Sequence, residues 1–229
     1  MEDAQFIRQY DPTDYDRPSV AVDCVTLGLC GGELRVLLMQ RDRPPFAGDW
    51  ALPGGFVGIA ESLEDAAGRV LSDKAGLSGV MPEQVHCFGA VDRDPRMRII
   101  AIAYRVLLVP GRMAALRLRT DQCLATVDPA GNVVREGRRL RLAFDHDGIV
   151  RLTLERLRAT IDDAAFALLP ERFTLREVQM VHEAVLGRPL NKPAFRRRML
   201  ERGVLRATGD YETGRAFRPA ELYIRLPKG

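Results

Sequence analysis

From Gly54 to Leu77 the chain reads GGFVGIAESLEDAAGRVLSDKAGL, a glycine loop, a short approach and an amphipathic helix. Leu63, Ala66, Ala67, Val70 and Leu71 fall at helical spacing on one side. Gly76 ends the helix, where a left-handed residue carries no side-chain penalty. The amides of Gly54 and Gly55 could approach a phosphate.

The spacing of Gly55, Glu61, Arg69 and Gly76 resembles the Nudix box, G-x5-E-x7-R-E-U-x-E-E-x-G-U, with U a bulky aliphatic. The run from Trp50 to Gly55 also resembles the W-x-L-P-G-G entry to that box. The resemblance implies cleavage of nucleoside diphosphates linked to another group, with a divalent metal held by the box glutamates. The gaps in the match fall on those glutamates: Val70 and Lys74 occupy two of the main metal-ligand positions, and Asp73 is a shortened third. Magnesium needs hard oxygen ligands, and a nearby ammonium repels it. Without the metal little is left to activate a water or neutralise a leaving phosphate. The expectation is a Nudix scaffold with no catalytic residue, no metal and no cofactor.

Glu61, Glu64, Asp65 and Asp73 remain as an unorthodox ligand set, although Glu64 and Asp65 also suit an exposed helix start, where they complement the dipole. The resemblance implies that Arg69 pairs with Glu61 to hold the loop. Lys74 is open to a ligand diphosphate, to Asp73 or Glu61, or to an ordinary internal ion pair. The candidate effector site is therefore Arg41, Gly54, Gly55, Glu61, Arg69, Asp73 and Lys74.

With 229 residues and 46% apolar side chains, the chain can fill one large core or two modest ones. No apolar run approaches a bilayer span, and the start MEDAQ lacks a signal-peptide layout, so a cytoplasmic protein is expected. Cys24, Cys30, Cys87 and Cys123 show no metal-site spacing and sit mostly in strand-like runs, which suggests buried thiols in a reducing compartment. The net charge of +3 is uneven: residues 171–229 hold 13 Lys plus Arg against 7 Asp plus Glu, leaving 21 against 24 in the first 170. A polyanion partner is expected at the C-terminal end only.

Residues 1–18 read as an irregular arm. Val20–Leu29, the Gly31-Gly32 turn and Glu33–Arg41 form a β-hairpin, and Val85–Val91 and Ile99–Pro110 read as strands, the second nearly all apolar and so internal. Ala114–Leu118, Cys123–Val127 and the basic run Arg135–Arg141 yield no ligand. Ile149, Leu152, Leu154, Leu157 and Ile161 mark an amphipathic helix of roughly four turns. At its start Asp145 suits an N-cap, and His146 a ligand contact.

A second domain is expected over 165–229, after an effector-sensing domain over 1–164. Thr174 and Glu177 make a capping box, with Phe173 placed to staple onto Val178, and the helix stops at Gly187 with His182 on its apolar face. Asn191 caps a second helix, with Pro193 in its first turn, that ends at Gly203 and buries Phe195, Met199 and Leu200. Ala194, Arg197, Arg198 and Glu201 point outward, with Lys192 and Arg196 on the flank. Strands Val204–Thr208 and Leu222–Leu226 around the turn 209–214 complete a winged helix-turn-helix. Arg197 and Arg198 are placed to read bases, and Lys192, Arg196, Arg202, Arg206, Arg215 and Arg218 to grip phosphates.

The ordered pieces Leu142–His146, Phe173–Leu175, Gly187–Leu200 and Arg218–Tyr223 are similar to the Nudix-related transcriptional regulators. That resemblance spans essentially the whole chain. It implies an α+β protein, a Nudix-type α/β/α sandwich with a mixed sheet followed by a winged helix-turn-helix. It also implies a homodimeric repressor of NAD-biosynthesis or sugar-utilisation genes on a palindromic double-stranded operator, released by a nucleotide-type effector such as ADP-ribose. The rival reading is an active Nudix hydrolase whose C-terminal extension serves dimerisation or RNA contact. A plain protein-interaction module is disfavoured by the basic helix.

Overall fold

The computed structural model describes residues 3–212 and 219–227. The chain opens with a short helix, α1 (Asp3–Gln9), where the sequence suggested an irregular arm. Asp3 and Arg8 complement its dipole and Phe6 meets Tyr10 one turn on at 5.9 Å, so the turn holds locally although it buries nothing.

β1 (Ser19–Cys30) and β2 (Glu33–Gln40) form the expected hairpin, with Gly31 and Gly32 at positive φ in its turn. Two short strands, β3 (Trp50–Ala51) and β4 (Gly54–Phe56), bring the glycine loop onto the sheet, and α2 (Leu63–Ala75) follows. Then come β5 (Glu83–Phe88), β6 (Ile99–Leu108), α3 (Pro110–Ala114), β7 (Gln122–Val127), β8 (Val133–Arg135) and β9 (Arg138–Arg139). The strand order is β5-β6-β1-β2-β7-β8-β9, with β3 on β2 and β4 on β1. β1 runs parallel to β6 and antiparallel to β2 and β4, so the sheet is mixed.

Alternate residues of β1 face opposite sides. Val22 and Cys24 pack on Ala66, Ala67, Val70 and Leu71 of α2, whereas Val25 and Leu27 join a second core with α4 (His146–Ala159). The result is helix, sheet, helix. Cys24 and Cys123 are buried, but Cys30 and Cys87 are exposed, one at the hairpin turn and the other on the edge strand β5, which corrects the expectation for those two thiols.

α5 (Ile161–Ala164) and a 3-10 turn (Ala165–Leu168) lead to α6 (Leu175–Leu186) and α7 (Lys192–Glu201), then to the hairpin β10 (Leu205–Tyr211) and β11 (Glu221–Arg225). The capping box is present, with the Thr174 hydroxyl accepting from the Glu177 amide and the Glu177 carboxylate from the Thr174 amide. Asn191 Oδ1 accepts from the Ala194 amide at 3.0 Å. Phe195 and Met199 are buried, but Leu200 is 43% exposed, so the inner stripe of α7 is narrower than its sequence suggests. The core beneath α4 runs unbroken through Leu154, Leu157, Phe166, Val181, Val185 and Phe195 to Tyr223, so sheet and winged helix share one apolar interior. Gly187, at φ 70°, lies where a Cβ would come within 2.4 Å of the Pro129 ring, so this turn needs glycine twice over.

Candidate functional site

The box loop is held as the resemblance implied. Arg69 donates from Nε and Nη2 to the Glu61 carboxylate at 3.0 and 2.5 Å, and from Nη2 to the Phe56 carbonyl at 2.9 Å. The Gly58 amide donates to Glu61 as well. The Arg69 hydrogen bonds, followed by that amide, hold the Glu61 carboxyl down at about 2.

Beside this loop lies a cavity of about 540 Å³. Arg41, Gly54, Gly55 and Lys74 of the candidate set line it; Glu61, Arg69 and Asp73 do not. Asp73 is exposed on α2. Lys74 pairs neither with Asp73 nor with Glu61: its Nζ donates to the Gly54 carbonyl, because the last turn of α2 faces β4. Burial first, then the neighbouring Arg41 charge, lowers the Lys74 pKa. Cys24 N donates to Pro53 O and Val57 N to Val20 O, and the alternation of an antiparallel ladder then places Gly55 opposite Val22 in a hydrogen-bonded pair. The Gly55 amide is therefore spent on the sheet and not offered to a phosphate. At Gly54 a Cβ would meet Asp23 Oδ1 at 2.3 Å, so glycine makes room for that carboxylate.

The cavity floor is a buried charged cluster. Arg93 donates to Asp145 from Nε at 2.9 Å and Nη2 at 2.7 Å, and reaches Asp23 Oδ2 at 3.3 Å. Asp145 stands at the N-cap of α4, but its side chain makes no capping bond; it is the acceptor for Arg93, which corrects the capping expectation. His146 Nδ1 accepts from the Leu52 amide at 3.0 Å, leaving its proton on Nε2, 3.6 Å from Asp23 Oδ1. Burial lowers the His146 pKa and keeps the ring neutral. His146 lines the cavity.

Six cationic and four carboxylate side chains line the cavity. Arg93 meets Asp23 and Asp145, Arg96 meets Asp94 at 2.7 Å, Arg119 meets Asp121 at 3.0 Å, and Arg43 meets Asp42 at 3.6 Å. Among the described residues Arg41 donates to the carbonyls of Pro45 and Arg43. Among the described residues neither Arg41 nor Lys74 has a carboxylate within ion-pair distance. Burial and the Arg96 charge push the Arg41 pKa down. Two unmatched cations facing one cavity favour an anion.

Sequence reasoning missed Asp23, Phe56, Arg93, Arg96 and Phe144 as cavity residues. Two signals were readable: a lone carboxylate inside the apolar run Val20–Leu29, and a charge-dense loop Asp92–Arg98 between two strands.

On the winged helix, Lys192, Arg196, Arg197 and Arg206 are exposed. The Arg197 side chain is 77% exposed, with Glu201 at 3.9 Å. Arg198 leans 3.3 Å from Asp162 and lies over the Phe195 ring, and Arg202 donates to the Asp162 carbonyl at 2.7 Å and lies 3.3 Å from Asp163. His182 is buried against Asp162 at 3.1 Å, as a core histidine. Arg215 and Arg218 lie outside the described residues.

In the family comparisons residues 17–124 match the NUDIX domain, and residues 165–224 match the NrtR DNA-binding winged helix domain. The ADPR responsive transcriptional repressor NtrR of Acinetobacter baylyi is 35% identical over 222 residues, 95% of this chain and 86% of that protein. An ADP-ribose pyrophosphatase of Methanocaldococcus jannaschii is 32% identical over 137 residues, covering 60% of this chain and 73% of that protein. The crystal structure of Shewanella oneidensis NrtR superposes with a TM-score of 0.75 at 33% identity, over 90% of this chain and 94% of that one. That protein has also been crystallised with a 27mer DNA, and its NUDIX domain with ADP ribose. With both units matched in order and a relative aligned over nearly its full length, the chain belongs to the NrtR family, transcriptional regulators that join a Nudix domain to a DNA-binding winged helix.

Proposed function

We propose that the protein is a cytoplasmic, homodimeric repressor that holds a palindromic operator through α7 and the wing and lets go when ADP-ribose fills the Nudix cavity without being cleaved. The Acinetobacter relative is named as ADPR responsive, and this chain carries the cavity to match. The observation that carries the reading is the pair Arg41 and Lys74, two cavity cations that among the described residues have no carboxylate within ion-pair distance.

The donor set does not fit a magnesium ion. Val70 offers no oxygen and is 1% exposed, packed beneath Gly55. Lys74 points an ammonium at the Gly54 carbonyl, and Glu64 accepts from the Tyr104 hydroxyl at 3.1 Å. Among the described residues no three His, Cys, Asp or Glu side chains gather as metal ligands. Arg41 and Lys74 instead supply the positive charge for a diphosphate. A sensor needs different affinities in two states, and turnover adds nothing to that.

The floor of the cavity is also the start of α4, and α4 continues through α5 into the winged helix. Occupancy is thereby coupled to the placement of α7. Calorimetry with ADP-ribose in magnesium and in chelator, paired with a phosphate-release assay, tests the reading. Binding of similar strength in both, with no release, supports it. Metal-dependent hydrolysis would instead favour an enzyme like the Methanocaldococcus relative.

A further inference from the structure

Two aromatic rings line the cavity, and their position is unlike that of core side chains. Phe56, on β4, is 47% exposed. Phe144 is half-buried and sits at φ 58°, a conformation a bulky residue adopts only when its surroundings impose it. Phe46 packs against Phe144 edge-on at 4.9 Å, and Arg41 lies 4.7 Å above its centroid. The same guanidinium, that of Arg96, lies 5.7 Å from the centroid of Phe56 and 5.8 Å from that of Phe144. Asp94 grips Arg96 from behind through two hydrogen bonds of 2.9 and 2.7 Å.

A half-exposed guanidinium over a phenyl ring is a weak contact, whereas a nucleobase stacked on the same ring is held more firmly. Resting on the effector reading given above, we infer that Arg96 stands in for a purine base: Phe56 and Phe144 are the walls that take the base of a nucleoside diphosphate, and Arg96 occupies that place until the base displaces it. The arrangement separates two tasks. Arg41 and Lys74 recognise the diphosphate, common to every such ligand, while the rings and Arg96 select for a large flat base. A ligand without a base leaves Arg96 where it is.

The test is calorimetry on the full chain with ADP-ribose, together with inorganic pyrophosphate as a competitor lacking a base. Phe56→Leu is expected to weaken ADP-ribose by roughly tenfold or more, while the inhibition constant of pyrophosphate stays within about twofold. The double variant Asp94→Asn/Arg96→Ala, which removes the internal competitor together with the carboxylate that holds it, is expected to tighten ADP-ribose by roughly threefold and to leave pyrophosphate within about twofold. Unaltered ADP-ribose affinity in Phe56→Leu, or parallel losses for both ligands, overturns the slot. Weaker ADP-ribose binding in Asp94→Asn/Arg96→Ala overturns the stand-in role. If the unsubstituted protein does not bind ADP-ribose, the effector assignment falls first and the slot with it.

Discussion

Arg93 and Asp145 meet through two nearly parallel hydrogen bonds, 2.9 and 2.7 Å long, that tie the loop after β5 to the first turn of α4. The Arg93 side chain is 4% exposed, and Asp23 shares its charge from the sheet. Three separate stretches of chain therefore converge on one guanidinium at the cavity floor. On the proposed reading, a ligand that touches this floor acts on the helix that leads to the DNA-binding unit.

Removing that guanidinium leaves Asp23 and Asp145 facing each other without a counter-ion. Arg93→Ala is expected to cost about 3–5 kcal/mol of stability, read from urea denaturation. A loss below about 1 kcal/mol, the range of an exposed pair, would show that solvent or Arg96 compensates.

Lys74→Ala should weaken ADP-ribose by roughly tenfold, the scale of one charge-assisted contact, equally in magnesium and in chelator. The pH dependence follows from the lowered Lys74 pKa. The ammonium is charged below it, so effector affinity is expected to fall on raising the pH before the ordinary lysine value of 10.5 is reached. A wild-type profile that falls only above 10.5, or one unchanged in Lys74→Ala, would remove this residue from the site.

The sequence carried the box, the first hairpin, the capping box at Thr174 and the glycine stop at Gly187, because each is set by neighbours within a few residues. What it hid depends on partners far along the chain. Lys74 finds the Gly54 carbonyl twenty positions back only once α2 folds over β4. Asp145 looks like a cap until Arg93, fifty-two residues away, claims its carboxylate. Arg202 was assigned to phosphates because it lies on a basic helix, yet Asp162 and Asp163 engage it within the protein. The single core beneath both units was equally hidden, since a periodicity shows which face is buried but not what buries it.

The Glu61–Arg69 pair makes a prediction about acid. The Glu61 carboxyl sits at about 2 against an ordinary 4.5, so its hold on the loop is present above 4.5 and is lost as the pH falls toward 2. A carboxyl titration followed by NMR should show Glu61 ionised at pH 4. Half-protonation near 4.5 would mean that the pair is open in solution.

On the winged helix, Arg197→Ala should weaken operator binding by about 1–3 kcal/mol and relax its sequence preference. Lys192→Ala should weaken all duplexes alike and make the salt slope shallower by about one. Arg202→Ala is expected to act through the tie to α5, lowering the melting temperature as well as affinity. Binding to operator and random duplexes at several salt concentrations separates the three; equal effects of Arg197→Ala and Lys192→Ala on random DNA would contradict the division of roles.

The most direct measurement is fluorescence anisotropy of a promoter fragment recovered by genomic pull-down, titrated with the protein and then with ADP-ribose in the presence of chelator. Release of the DNA by intact ADP-ribose, recovered uncleaved afterwards, is the expected result. Retention of the DNA at saturating ADP-ribose, or release only when magnesium is present and the ligand is consumed, would contradict it.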